Sequence, residues 1–166
     1  MKHPLLAGAL AAALFAFPAD AGSRFVTEPA DFAEAPAFIY AGFDGEACLA
    51  ELLARQVPFT QVEATKGVDT PIRLTGPLHG VSFRPMQRQQ PDEKNHNTIA
   101  DCRLAVALDD LAVVLEKQQV VLAEYYSMYR RRGLGFVKPG KRHPGGRAID
   151  LVRLTLSSGE AYTVQN

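Results

Sequence analysis

The chain has 166 residues, and its 18 Lys and Arg residues balance its 18 Asp and Glu residues, so the formal net charge is zero. This balance excludes the basic excess that is typical of nucleic-acid-binding proteins, and no nucleic-acid partner is expected. The content of 47% apolar and 22% charged residues is ordinary for a globular protein, and the presence of only two cysteines and four histidines excludes a multi-cysteine zinc module.

The N-terminal segment, residues 1–21, has the pattern of a secretory signal. An apolar run over 5–17 ends at Pro18, and Ala19-Asp20-Ala21 has the small–x–small form of a signal peptidase site. We therefore expect a secreted or periplasmic protein. A retained membrane anchor is the alternative, but the run is shorter than the ~20 residues that span a bilayer, and no stop-transfer pattern follows it.

The segment after the signal divides into a lead-in and a first helix. Residues 22–43 are rich in Ala and Pro, which predicts a flexible lead-in, and the folded domain is expected over 44–166. Asp44 has the short polar side chain that is favoured at a helix N-cap, so a helix is predicted over 45–55. Four apolar residues at helical spacing are expected to form its buried stripe: Cys48, Leu49, Leu52 and Leu53.

The middle of the domain is predicted to contain short strands and one long helix. Strands are expected at 59–62, 71–75 and 81–83, and the last two are expected to pair because Gly- and Pro-containing turns separate them. Asp101 is a candidate N-cap for a core helix over 101–118. Six apolar residues are predicted to face the core from this helix: Leu104, Ala107, Leu108, Leu111, Val114 and Leu115.

The C-terminal part is predicted to be mostly strand. Strands are expected at 120–126, 148–156 and 161–164, and a basic loop with several Gly and Pro residues occupies 130–147. The combined element order predicts an α+β fold in which helices pack on a small antiparallel sheet.

The two cysteines, Cys48 and Cys102, fall on the two predicted helices. In an exported protein they are expected to form a disulfide that ties these helices together. Two buried free thiols are the alternative, and neither residue lies in a Cys-x-x-Cys redox motif.

The most informative stretch is His143-Pro144-Gly145-Gly146-Arg147-Ala148-Ile149-Asp150. Pro and two Gly residues favour a tight turn, which lets His143 fold back towards the following strand. Asp150 is predicted to lie on an otherwise apolar strand face, where a carboxylate needs a cation or strong donors. An imidazole and a carboxylate are both zinc ligands. The alternative is that Asp150 binds backbone amides or Arg147, with His143 exposed.

The same stretch has the form His-x-x-Gly-x-Ala-x-Asp and resembles the zinc motif of the D-alanyl-D-alanine carboxypeptidase-like metallopeptidases, whose fold is shared with the Hedgehog signalling domain. Over about residues 45–166 the order of motifs resembles the bacterial extensin-like C-terminal domain family. The other matching segments are Cys48 with Leu52, Pro71-Ile72-Arg73-Leu74, Gly80-Val81, Cys102-Arg103-Leu104-Ala105-Val106-Ala107-Leu108 and Tyr129-Arg130.

The resemblance implies a Hedgehog-like or DD-peptidase-like fold with His143 and Asp150 as two ligands of Zn²⁺. It also implies an arginine that precedes the His ligand and holds the carboxylate of the substrate. Arg130 and Arg131 best match this arginine. Both belong to the basic loop, which carries seven positive residues and no acid over 130–147, and a solvated loop without a binding role is the alternative.

The chain departs from the family pattern after Asp150. The family has a third His ligand near an acidic catalytic base, whereas residues 151–166 contain no His and only Glu160 as an acid. A truncated reading frame, a degenerate domain and a replaced ligand are the three explanations. His79 and His96 match no ligand position of the family.

Two functions follow from these expectations. The first is an exported domain that acts on cell-wall peptides by zinc-dependent amide hydrolysis. The second is a non-catalytic domain that binds cell-wall peptide or polymer, which the missing third ligand favours. An inert fragment is a third, weaker alternative.

Overall fold

A computed structural model describes residues 31–86, 94–130 and 142–164 of the chain. The predicted signal at 1–21 lies outside the described residues, as do Arg131 and most of the basic loop.

Within the described ranges, the chain forms three α-helices, seven strands and three short 3₁₀ turns. The helices are α1 (Pro36–Ala41), α2 (Gly45–Ala54) and α3 (Cys102–Lys117). The strands are β1 (Phe59–Gln61), β2 (Pro71–Leu74), β3 (Ser82–Pro85), β4 (Ala100–Asp101), β5 (Val120–Tyr125), β6 (Leu151–Leu156) and β7 (Ala161–Thr163). The 3₁₀ turns are Phe32–Glu34, His96–Thr98 and His143–Gly145. None of these helices combines the length and the apolar character that crossing a bilayer requires.

The strands form two small sheets, and the fold is α+β. One sheet has the antiparallel order β1-β2-β4, and the other has the order β3-β5-β6-β7. In the second sheet β3 runs parallel to β5, while the other pairs are antiparallel. The parallel pair arises because α3 connects β3 to β5, and parallel neighbours need such a crossover. The expectation of one antiparallel sheet was therefore wrong in this detail.

The predicted pairing of the strands at 71–75 and 81–83 was also wrong. The chain reverses between them, where Leu78 and Val81 form an isolated bridge and His79 and Gly80 adopt positive φ values of 45° and 78°. This tight reversal makes no longer ladder, and β2 and β3 belong to different sheets.

Both long helices begin where their capping residues predicted. The Asp44 carboxylate accepts a hydrogen bond from the Ala47 N–H at 2.8 Å, and the Asp101 carboxylate accepts one from the Arg103 N–H at 3.2 Å. These bonds satisfy backbone donors that have no partner within the helix.

The buried faces of the two helices differ from the predicted stripes. Leu53 is 68% exposed on α2, and Val114 is 56% exposed on α3. Only Leu108 and Leu115 of the six residues predicted for α3 are buried, and the buried set also contains Ala105, Val106 and Ala112. Helix α3 contacts α2 as well as β5, so its buried surface wraps further round the helix than one stripe. Small alanines on that surface allow close approach.

Part of the expected lead-in is helical, because Pro36–Ala41 forms α1. The Tyr40 hydroxyl donates to Asp110 on α3 and accepts from an Nη of Arg55 at 3.2 Å. Arg55 also donates to Glu51 and Asp110, at 2.6 Å in each case. Burial disfavours the Arg55 charge, but these partners outweigh it, so the pKa of Arg55 is raised. Burial and the bond to Asp110 raise the pKa of Tyr40.

The cysteines form the predicted disulfide. Cys48 on α2 and Cys102 at the start of α3 are bonded, with their Cα atoms 6.0 Å apart. Both are fully buried in the main apolar cluster, together with Leu52, Ile72 and Leu108. The bond therefore fixes α2 against the end of α3 at which Asp101 lies.

Replacing both cysteines with alanine is expected to lower the free energy of unfolding by about 4 kcal/mol, because the unfolded chain regains the freedom of a loop closed over 54 residues. Urea unfolding followed by circular dichroism measures this difference. Added reductant provides the control, since it should destabilise the wild type and leave the double variant unchanged. Equal stability of the two oxidant-treated proteins would contradict the prediction.

Candidate functional site

The candidate site begins with the turn that carries His143. The Gly146 N–H donates to the His143 carbonyl at 3.0 Å, and the Gly146 carbonyl accepts from the Asp101 N–H at 2.9 Å. Gly146 has a φ of 65°, and a Cβ atom placed on it would lie 2.7 Å from the Asp101 nitrogen. Only glycine meets both requirements, so this position holds the turn against the start of α3.

A charge network around the buried carboxylate of Asp101 fixes the same turn from the side of α3. The Asp101 carboxylate has no exposed side-chain surface and accepts from Arg103 Nε at 2.7 Å and from the Thr70 N–H at 3.2 Å. Asp69 binds Arg103 at 2.8 Å and also binds Arg147, the residue after the turn. Burial disfavours the charge of Arg103, but its bonds to the two carboxylates outweigh this and raise its pKa.

The segment after β5 supports the turn from the other side. The Arg130 N–H donates to the His143 carbonyl at 3.3 Å, and the Asp150 N–H donates to the Ser127 carbonyl at 3.3 Å. The Tyr126 N–H donates to the Asp150 carbonyl at 2.9 Å. These backbone bonds bring Ser127, Arg130, His143 and Asp150 into one place, although they come from two separate segments.

Three of the predicted site residues meet here. His143 Nε2 lies 2.9 Å from Asp150 Oδ1, and the other carboxylate oxygen of Asp150 accepts from Arg130. Arg130 Nε also donates to Ser127 Oγ at 2.7 Å. His143 Nδ1 is buried and has no hydrogen-bond partner among the described residues. The carboxylate is thus shared between an imidazole and a guanidinium.

Asp150 does not lie on a buried strand face as expected. Strand β6 begins one residue later, at Leu151, and 37% of the Asp150 side chain is exposed. Water and Arg130 can therefore stabilise the carboxylate charge, so its position alone does not require a metal ion.

The other two histidines discussed above, His79 and His96, lie elsewhere, and His96 begins the 3₁₀ turn His96–Thr98. His79 Nε2 lies 3.0 Å from Asp109 Oδ1, next to Arg55, whose Nη1 is 3.3 Å from the same carboxylate. This second arrangement of His, Asp and Arg parallels the candidate site, and His79 is likewise followed by a glycine with a positive φ, but it lies outside the His-x-x-Gly-x-Ala-x-Asp motif. Over residues 31–86, 94–130 and 142–164, no group of three or more His, Cys, Asp and Glu side chains is placed to hold a metal ion.

The imidazole of His143 and the carboxylate of Asp150 are both groups that bind zinc, and the distance between them is close to the distance between two ligands of one zinc ion. Two ligands about 2.0–2.1 Å from one tetrahedral zinc ion lie roughly 3.3 Å apart, compared with 2.9 Å between His143 Nε2 and Asp150 Oδ1. The observed separation is about 0.4 Å shorter, so the two side chains would have to move slightly apart to share an ion. The two residues fit as part of a zinc site, while the described residues provide no complete set of three protein ligands.

Sequence reasoning missed the residues that support the turn. Asp69 lies 78 residues before its partner Arg147, which was considered only as a partner of Asp150, and Ser127 stands outside the quoted motifs. The Asp150–Arg147 bond considered above is not formed among the described contacts, because Arg147 binds Asp69. The sequence identified Asp101 as a helix cap, but it did not predict the contact of Asp101 with the Gly146 turn, because that contact depends on tertiary structure.

Comparison of the chain with protein-family models, curated proteins and solved structures finds no match.

Gly146→Ala is expected to lower the free energy of unfolding by about 2–5 kcal/mol, since it adds overpacking against Asp101 to the cost of a positive φ. Gly159→Ala is the matched control. Its φ is 87° but its Cβ would meet nothing within 4 Å, so a loss of only about 1–2 kcal/mol is expected. Urea unfolding of both variants measures the difference, and equal losses would show that the close contact is unimportant.

Proposed function

We propose that this chain is an exported cell-wall domain related to the zinc D-Ala-D-Ala carboxypeptidases, in which His143 and Asp150 bind Zn²⁺. The proposal includes the extensin-like and Hedgehog-like kinship that the order of sequence motifs suggests. The observation that carries it is the 2.9 Å approach of the two motif residues, on a turn held at both ends by backbone hydrogen bonds.

The chemistry of the neighbours supports the proposal. The Asp150 carboxylate is half-exposed and therefore accessible to an ion. The Nδ1 atom of His143 is buried, and Nε2 is the ring nitrogen that faces the carboxylate. A zinc ion bound by these residues supplies a Lewis acid that polarises a peptide carbonyl. Arg130 contacts Asp150, so an anionic group of a wall peptide that displaced this contact would be held close to the pair.

Zinc binding is the first test. The wild type is expected to retain zinc after dialysis, as measured by elemental analysis, and calorimetric titration is expected to show at least tenfold weaker binding for His143→Ala and Asp150→Asn. Loss of a group that supports a metal ligand lowers metal affinity about 10–100-fold, and loss of the ligand itself is expected to lower it at least as much.

His79→Ala is the matched control for this test. It removes an imidazole that lies 3.0 Å from a carboxylate in an arrangement of His, Asp and Arg outside the motif. It is expected to leave zinc binding unchanged. Equal zinc content in wild type and His143→Ala, or an equal loss in His79→Ala, would reject the metal site.

A second candidate function is a non-catalytic domain that binds cell-wall peptide or polymer. The specific observation in its favour is that Arg130 already neutralises Asp150, while the described residues contain no third metal ligand. A catalytic zinc site uses three protein ligands and a base, so an incomplete set is better suited to binding than to hydrolysis.

Sedimentation with isolated cell walls separates the two candidates. The binding domain is expected to co-sediment with the walls equally with and without a chelator, and to release no peptide. Chelator-sensitive hydrolysis of wall peptides would instead establish the enzyme. A protein that stays in the supernatant and releases no peptide in either condition would contradict both functions.

A further inference from the structure

An open cleft of about 1030 Å³ lies along the segment 61–67. Neither His143 nor Asp150 lines it, so it is distinct from the candidate zinc site. Its volume is at the upper end of the range for small-molecule sites, and such sites combine an apolar lining with a few well-placed polar groups.

The floor of the cleft is apolar and held in place. Ile99 and Tyr129 line the cleft and are 4% and 2% exposed, and they form a small core cluster with Val68. The Tyr129 hydroxyl donates to the Lys66 carbonyl at 3.0 Å, which fixes the wall to the floor. Val62, which also lines the cleft, packs against this cluster, so the apolar part of the lining is small and suited only to a short aliphatic group.

The wall of the cleft is also anchored outside it. Gly67 has a φ of 88°, and a Cβ atom on it would lie 2.7 Å from the Pro144 carbonyl oxygen. The segment therefore packs closely against the turn that carries His143. These two contacts hold the segment at residues 66 and 67, and at its other end the Val62 N–H donates to the Pro71 carbonyl at 3.1 Å. With both ends held, the cleft is formed before any ligand arrives, which reduces the entropic cost of binding.

Arg73 supplies a positioned anion-binding group. It projects from β2 into the lining of the cleft, and its Nε donates to Thr98 Oγ1 at 3.0 Å. Thr98 Oγ1 in turn donates to the Asn95 carbonyl at 2.7 Å. This anchors one edge of the guanidinium. No described residue accepts a hydrogen bond from the Nη groups, whose paired N–H donors match the two oxygens of a carboxylate.

The charge of the lining favours a monoanion. With His96 counted as neutral, Lys66 and Arg73 contribute two positive charges to the lining, and Glu63 contributes one negative charge. The balance attracts a single carboxylate, while Glu63 opposes the closer approach of a dianion such as phosphate.

We infer that this cleft binds a small aliphatic molecule or peptide end with a free carboxylate, which Arg73 holds in a bidentate contact above the Ile99–Tyr129 floor. This site does not depend on the proposed zinc site. It assigns carboxylate recognition to an arginine of β2 in addition to Arg130.

Nuclear magnetic resonance of the ¹⁵N-labelled full chain tests the inference, with N-acetyl-alanyl-alanine as the probe and its C-terminal amide as the uncharged match. The acid is expected to cause saturable shifts in the amides of 62–67 and Ile99. The amide should bind at least tenfold more weakly, since it lacks the charge-assisted pair.

Arg73→Gln is expected to weaken binding of the acid about 10–100-fold. Arg84→Gln is the control, because Arg84 is an exposed arginine on β3 that does not line the cleft, and it should change the affinity less than about twofold. Arg73→Lys keeps the charge but not the paired donors, so it should also bind more weakly than wild type. If Arg73→Gln does not fold, Arg73→Lys and the comparison of acid with amide decide the matter.

Equal affinity for acid and amide would overturn the inference, as would an equal loss in Arg84→Gln. Shifts confined to residues outside the cleft, or no binding of the acid at millimolar concentration, would also overturn it. Inorganic phosphate that binds the cleft more tightly than the acid would reject the carboxylate assignment. None of these results depends on zinc, so the metal content of the same samples tests the proposed function separately.

Discussion

The buried carboxylate of Asp101 is the interaction on which the rest of the site depends. Its side chain is fully buried, and such a charge is tolerated only when partners satisfy its oxygens. Arg103 and the Thr70 N–H donate hydrogen bonds to the Asp101 carboxylate, and Arg103 also binds Asp69. Because the Asp101 N–H holds the Gly146 carbonyl as well, one residue joins the start of α3 to the turn of His143. Loss of this carboxylate would leave Arg103 with Asp69 alone and the Thr70 N–H without its acceptor, at the point where the Asp101 backbone holds the turn.

The disulfide and the Asp101 network act on the same end of α3. Cys102 follows Asp101 directly, so the covalent bond to α2 and the ion pairs to Asp69 constrain adjacent residues. A candidate site on an irregular turn gains precision from such a framework, since turns have few hydrogen bonds of their own. The rigid part of the molecule thus lies next to the turn that carries the motif, and the cleft beside 61–67 is attached to it through Gly67 and Pro144.

The sequence predicted best those features that depend on neighbouring residues. Asp44 and Asp101 cap their helices because a cap is a contact over two or three positions. His143 and Asp150 meet because the Gly and Pro residues between them favour a turn. Features set by distant segments were not predictable. The Arg147–Asp69 contact and the separation of β2 from β3 depend on how the whole chain packs, and local periodicity carries no information about either. For the same reason, the wide buried surface of α3 was mistaken for a single stripe.

Arg130 and Arg73, the arginines of the two proposed sites, differ in whether their hydrogen-bond donors are already occupied. Arg130 uses Nε on Ser127 and an Nη on Asp150, so a substrate carboxylate must compete with Asp150 for its donors. A zinc ion on Asp150 would withdraw electron density from that carboxylate and weaken its hold on Arg130, which would free the guanidinium for an anion. Arg73 has no such competitor among the described residues, since only its Nε is occupied. We therefore expect carboxylate binding at Arg73 to be independent of the proposed metal, and binding at Arg130 to be coupled to it through Asp150.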